Sequence, residues 1–136
     1  MARTHPIEQL EAVVIVGIGG FAGSNLRYFV ETVVPSSLLA TATVNVVGCI
    51  ALGLVLYEEL YEDLISQPAR TILATGFIAS FTTYSTFVVD ALTTTPLLAV
   101  GYIVGSYALG FGGVLIGRAG ARHVTAAHHP ASEVRD

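Results

Sequence analysis

Leu38–Tyr57 reads LLATATVNVVGCIALGLVLY, a run of 20 residues without one charged side chain. A helix needs roughly 20 apolar residues to cross a hydrocarbon core about 30 Å thick, so this stretch alone is long enough to span a bilayer. Working outward, three more stretches have the same character. Ala12–Val30 (AVVIVGIGGFAGSNLRYFV) carries one charge, Arg27, near its end, while Thr71–Val89 (TILATGFIASFTTYSTFVV) and Leu97–Gly117 (LLAVGYIVGSYALGFGGVLIG) carry none. Buried helices of a soluble protein would keep polar outer faces at a 3.6-residue period, and these four do not. Composition agrees. Only 12% of the residues are charged, against roughly a quarter in soluble domains, and the mean hydropathy is +0.70. The fold class is an all-α membrane protein with four transmembrane helices.

The 136 residues divide into an N-terminal segment (1–11), a transmembrane domain (12–117) and a polar C-terminal tail (118–136), which is expected to be disordered. The spans cover about 12–30, 38–57, 71–89 and 97–117, joined by the short connections Glu31–Ser37, Glu58–Arg70 and Asp90–Pro96. Pro35 and Pro96 stand where helices begin, which suits a residue with fixed φ and no amide donor. The first stretch is too long for a cleavable signal, and its arginine lies at the far end. With four spans, Arg3, Arg70, Arg118, Arg122 and Arg135 share one side, against Arg27 alone on the other. The positive-inside rule then puts both termini in the cytoplasm of a multi-pass cell-membrane protein.

Other chemistries find little support. Cys49 is the single cysteine, so no intramolecular disulfide forms. His5, His123, His128 and His129 lie in the terminal segments, and none has the spacing of a zinc site; the His128–His129 pair reads better as solvated tail than as a metal ligand. Gly17–Gly23 is glycine-rich, but it sits inside a span and follows no strand, so it is not a dinucleotide loop. There is no nucleophile–base pair. The chain is expected to be neither an enzyme nor a partner of nucleic acid.

Polar residues inside the spans carry the functional information, because lipid tolerates them only where they face protein or water. Thr41, Asn45, Cys49 and Gly53 recur every four residues on the second span. Asn45 serves either as interhelical glue or as an amide donor to an anion. Gly19, Gly23 and Arg27 share a face of the first span, the glycines as a close helix contact. Arg27 either snorkels to the interface or provides positive potential at the mouth of an anion path. Gly101, Tyr102, Gly105 and Ser106 repeat the theme in the fourth span. In the third, Ser80-Phe81-Thr82-Thr83-Tyr84-Ser85-Thr86-Phe87 is too rich in hydroxyls for one helix face. Either these bond back to carbonyls of the preceding turn or the helix breaks, which is tolerated only inside protein or along a cavity.

Four motifs in register carry a family resemblance. Gly19-Gly20-x-x-Gly23-x-x-x-Arg27-Tyr28, Thr41-Ala42-Thr43-Val44-Asn45-Val46-Val47-Gly48, Gly76 through Phe87, and Tyr102 with Ser106 resemble the four helix signatures of the CrcB/Fluc fluoride channels, over about residues 12–117. The resemblance implies a third helix broken near its middle. It also implies an antiparallel dimer, with two fluoride pores at the interface. Asn45, Thr83, Tyr84, Ser85, Phe87, Tyr102 and Ser106 would form the anion pathway, and Arg27 its vestibule. The ring edges of Tyr84 and Phe87 would meet the ion. A structural sodium ion would bind the backbone carbonyls of Ala79 and Thr82. Partners implied are fluoride, sodium, membrane lipid and a second subunit.

Three departures stand out: Tyr84 for the first phenylalanine of TTFSTF, Ala79-Ser80 for Gly-Gly, and Ala40 for a glycine before Thr41. Ala79 lacks the backbone freedom that eases a break. Five arginines against one also favour a fixed orientation, as in family members built from two paired homologous subunits. A non-conducting or partner-dependent subunit is therefore an alternative to a self-sufficient channel. A small multidrug transporter has similar size, but it needs a membrane-embedded carboxylate, usually in its first helix. No Asp or Glu lies within Ala12–Val30.

Overall fold

The computed structural model describes residues 6–61 and 65–128. The chain folds into helices α1 (Pro6–Val33), α2 (Ser37–Tyr61), α3 (Gln67–Arg70), a π-helical stretch (Thr71–Ile78), α4 (Ala79–Phe81), α5 (Ser85–Thr93) and α6 (Pro96–His128). Four helical segments are long and apolar enough to cross a membrane: Gln9–Val33, Ser37–Glu58, Gln67–Thr93 and Pro96–Val124. The third of these is the interrupted one, running from α3 to α5.

Sequence placed the spans, and the structure lengthens each of them. α1 starts at Pro6 rather than at residue 12, with proline in the position where a missing donor costs nothing. α6 does not stop at Gly117: it continues through Arg118 and Arg122 to His128. Residues 118–128 are thus helical where a disordered tail is expected from sequence. Ala119, Ala121, Ala126 and Ala127 favour that continuation, alanine being the best helix former, while a hydropathy window loses the segment as soon as arginines enter it. The ends of the chain (1–5 and 129–136), with His5 and His129, lie outside the described residues.

Two helix pairs make the frame. α2 packs along α6, and α1 packs along the π-helical stretch and α4. Both contacts are backbone-close. A Cβ at Gly117 would fall on the Ile50 carbonyl oxygen, and one at Gly23 on the Phe77 carbonyl oxygen and the Phe81 nitrogen. Association within a bilayer depends on such close packing, because lipid removes the hydrophobic drive between helices. The connection from α2 to α3 is closed by an ion pair, Arg70 Nη2 to Glu58 Oε2 at 3.1 Å. Arg70 Nη2 also donates to the Ile65 carbonyl at 3.2 Å, and the Ile65 amide donates to Glu58.

The buried centre is small. Ala40, Val44, Val55, Ile78, Phe81 and Phe87 are its apolar members, and Thr41, Thr83 and Asp90 its polar ones. Large apolar side chains such as Phe21, Leu92, Leu97 and Phe111 are exposed along the spans. In water that surface would be costly; against hydrocarbon tails it is not.

Candidate functional site

The site forms where the third span breaks. Thr82 is extended, with φ −78° and ψ 159°, directly after α4, and Tyr84 returns to helical angles just before α5. Two answers to the local hydroxyl excess operate together. Thr82 Oγ1 bonds back to the Ile78 carbonyl at 3.0 Å, and the helix also opens. Opening costs backbone partners, which at this depth must be replaced from within the protein. Asn45 of α2 replaces them: its Nδ2 donates to the Thr83 carbonyl at 2.9 Å, and its Oδ1 accepts from the Thr83 amide at 2.8 Å. Thr83 Oγ1 then accepts from the Thr86 amide at 3.2 Å, serving the start of α5 as a capping hydroxyl does.

Asn45 is therefore both glue and candidate donor. One amide hydrogen and its oxygen hold the break; the other amide hydrogen is left over. Asn45 lines two open cavities, of ≈ 240 Å³ and ≈ 360 Å³, which also share Tyr84 and Cys49. The smaller holds Phe87 and Ser106, and the larger holds Ala79, Thr82 and Thr83. Tyr84 is 71% exposed and lines both. No Lys or Arg lines either cavity among the described residues.

Phe87 is the aromatic hub. Its ring centroid lies 5.9 Å from Tyr84, 5.2 Å from Tyr102 and 6.1 Å from Tyr107, the last edge-on at 87°. Such rings carry electropositive edges, a donor surface without a formal charge. Tyr107 lines the smaller cavity too, and sequence did not single it out; its position five residues after Tyr102 is the signal it left.

The remaining expected residues sit apart. Ser85 is exposed beside Thr83, with 3.4 Å between the hydroxyls. Tyr102 lines neither cavity; its hydroxyl is buried beside Asp90 and Thr41 without meeting hydrogen-bond geometry to either. Arg27 also lines neither cavity. Its Nη1 reaches the Thr82 carbonyl at 3.4 Å, and its Nε pairs with Glu31 at 3.6 Å.

Asp90 is the residue sequence missed. Assigned from sequence to a connection, it is 5% exposed and accepts from Ser37 Oγ at 2.6 Å and Thr41 Oγ1 at 2.7 Å. Its carboxylate thereby sits at the N-terminal turn of α2, the positive end of that helix. The clue was available in the Ser37–Thr41 spacing of four and in the Phe87–Asp90 spacing of three.

Residues 14–118 match the family described as CrcB-like protein, Camphor Resistance (CrcB). The chain belongs to this CrcB-like family. A protein named Fluoride-specific ion channel FluC 1, from Haloarcula marismortui, is 54% identical over 118 residues, which cover 87% of this chain and 91% of the relative. The FluC 1 of Natronomonas pharaonis is 42% identical over 108 residues, covering 79% and 91%. The FluC 2 of Halobacterium salinarum is 42% identical over 106 residues, covering 77% and 82%.

The structural sodium that CrcB resemblance implies can be tested against the donors present. The Thr83 amide, which an unbroken helix would direct at the Ala79 carbonyl, goes to Asn45 instead. That leaves the Ala79 carbonyl without a backbone donor among the described residues. Thr82 also lines the larger cavity, and among the described residues its carbonyl accepts only the long contact from Arg27. Neutral backbone oxygens suit a hard cation, so the donor set fits in kind. Two carbonyls from one chain are too few to complete a shell.

Proposed function

We propose that this chain is a fluoride-selective channel that lets fluoride leave the cell passively and lowers its cytoplasmic concentration. The observation that carries the proposal is Asn45, which lines two cavities with a spare amide hydrogen, beside the aromatic rings of Tyr84 and Phe87. Fluoride is small and strongly hydrated. A pore must therefore replace its water with many donors, each weak enough to let go. Asn45, Ser106 and the edges of Tyr84 and Phe87 are donors of that kind, and a lining without Lys or Arg among the described residues avoids trapping the anion. The names of the relatives support the same ion.

A half-open cavity on one chain is a path only when a second subunit closes it. The functional unit is an antiparallel dimer, built from two copies or from this chain and a homologous subunit. The arginine asymmetry favours the second arrangement, and relatives numbered FluC 1 and FluC 2 are consistent with paired chains. In the dimer, Ala79 and Thr82 of both subunits would supply carbonyls to one sodium ion, which would add a fixed positive charge near the pores. In the paired arrangement, where this chain has one fixed orientation, both its termini face the cytoplasm, since four spans return the chain to its starting side and five of six arginines gather there.

The buried carboxylate Asp90 does not revive a multidrug transporter. It lies on the third span, and both its oxygens are engaged by hydroxyls of α2. The decisive experiment is fluoride efflux, with chloride as control, from liposomes holding only this chain. Fast fluoride release with little chloride release supports a self-sufficient channel. Silence from folded protein, restored by adding a homologous subunit, supports the paired form; silence from both refutes the channel.

A further inference from the structure

Gly19, Gly23 and Arg27 occupy successive turns of one α1 face, and that face follows the third span down to its break. Gly19 lies against the backbone of Gly76 and Phe77, and Gly23 against Phe77 and Phe81. One turn on, Arg27 Nη1 reaches the Thr82 carbonyl oxygen at 3.4 Å. In an unbroken helix that oxygen would receive the Thr86 amide, which here donates to Thr83 Oγ1. Arg27 is the donor that takes its place. Its other neighbour is Glu31, at 3.6 Å, with the two side chains 31% and 34% exposed. A pair so exposed holds its partners loosely, and the guanidinium keeps its positive field at the break.

We infer that Arg27 is a built-in cation of the broken helix, supplying the Thr82 carbonyl with the positive partner that a sodium ion would otherwise provide, and competing with that ion. This rests on the proposed sodium site at Ala79 and Thr82. A carbonyl has two lone pairs and can accept two partners, but two positive charges a few ångström apart repel in a partly hydrated site. Coupling of this kind is reciprocal: Arg27 lowers sodium affinity by the factor through which sodium loosens Arg27. The consequence is a break that holds its shape with little dependence on bound metal, in a chain whose Ala79-Ser80 lacks glycine's backbone freedom.

The test is thermal unfolding of the purified full chain at graded sodium chloride, with N-methylglucamine chloride holding ionic strength constant. In Arg27→Gln the sodium concentration giving half-maximal stabilisation should fall by roughly 5–150-fold, the usual span of such couplings. Arg27→Lys, which keeps the charge, should stay near the parent chain. Equal midpoints for the parent and Arg27→Gln overturn the inference, as does Arg27→Lys behaving like Arg27→Gln. Should Arg27→Gln fail to fold, Glu31→Gln serves instead: it frees the guanidinium for Thr82 and should raise the sodium midpoint, and an unchanged midpoint overturns the inference. Absence of sodium stabilisation in Arg27→Gln as well as in the parent also overturns it, while fluoride efflux measured on the same preparation shows separately whether the channel proposal stands.

Discussion

Asn45 and Thr83, 38 residues apart in the chain, exchange two hydrogen bonds of 2.9 and 2.8 Å between the asparagine side chain and the threonine backbone. The amide thereby imitates a peptide group of a neighbouring turn. It makes an open backbone affordable in the middle of a span, and it points what remains of its donor capacity at the cavities. A structural role and a proposed role in conduction meet in one side chain.

Replacing Asn45 by Asp separates those roles only partly, and the outcome can be stated. The carboxylate opposes the Thr83 carbonyl, leaving a buried acceptor unsatisfied at a cost of ~1–3 kcal/mol. It also places a negative charge within reach of the anion, worth about 4 kcal/mol of repulsion at short range, or about a thousandfold in rate. Fluoride efflux should fall to background while size-exclusion chromatography still shows assembled protein. Normal efflux from Asn45→Asp would remove Asn45 from the pathway.

Phe87→Ala should both loosen the fold and slow conduction. The ring is 8% exposed and touches three other aromatic rings, and truncating a buried phenylalanine typically costs ~3–5 kcal/mol. A lower unfolding temperature in detergent and reduced efflux per folded chain are expected. Parental values in both assays would count against the hub.

Asp90→Ala strands the hydroxyls of Ser37 and Thr41, the latter fully buried at 0% exposure. Hydrogen bonds to a charged acceptor are each worth about 1.5–3 kcal/mol, so the α2–α5 contact should weaken measurably. Asp90→Asn keeps one oxygen acceptor and should lose less. Denaturant or thermal unfolding of the two variants should rank both below the parent with Asp90→Ala lowest; parental stability in both would mean that the pair of bonds contributes nothing.

Glycines of α6 should divide sharply by position. At Gly117 any Cβ meets the Ile50 carbonyl, whereas at Gly112 a Cβ meets nothing within 4 Å. Gly117→Val should cost about 1–3 kcal/mol or more through forced helix separation, while Gly112→Ala should be neutral or stabilise by up to ~1 kcal/mol through helix propensity. Folded yield and unfolding temperature of the two variants check this, and similar behaviour of both would refute the close α2–α6 approach.

Much of the site was legible in one dimension. Asn45, Tyr84, Phe87 and Ser106 stood out as polar or aromatic residues in apolar spans, and all four line the cavities around the break. Asp90 was not legible as buried, because a charge next to Thr93-Thr94-Thr95-Pro96 looks like the edge of a loop. Only contact with Ser37 and Thr41 of another helix makes its burial tolerable. Arg27 was legible as unusual, but its partner at Thr82 was not, since the two lie 55 residues apart.

Sequence by itself determined the number, order and approximate limits of the spans, because crossing hydrocarbon demands about 20 apolar residues and forbids unpaired backbone. It also marked the third span as irregular, because so many hydroxyls cannot share one face, but left open whether they bond back to the backbone or the helix breaks. Tertiary structure decided that both happen. Whether a helix breaks depends on whether a donor and an acceptor from elsewhere can replace the lost partners, and Asn45 and Arg27 come from other helices. No local pattern can report that, because the energy of the break resides in contacts between segments.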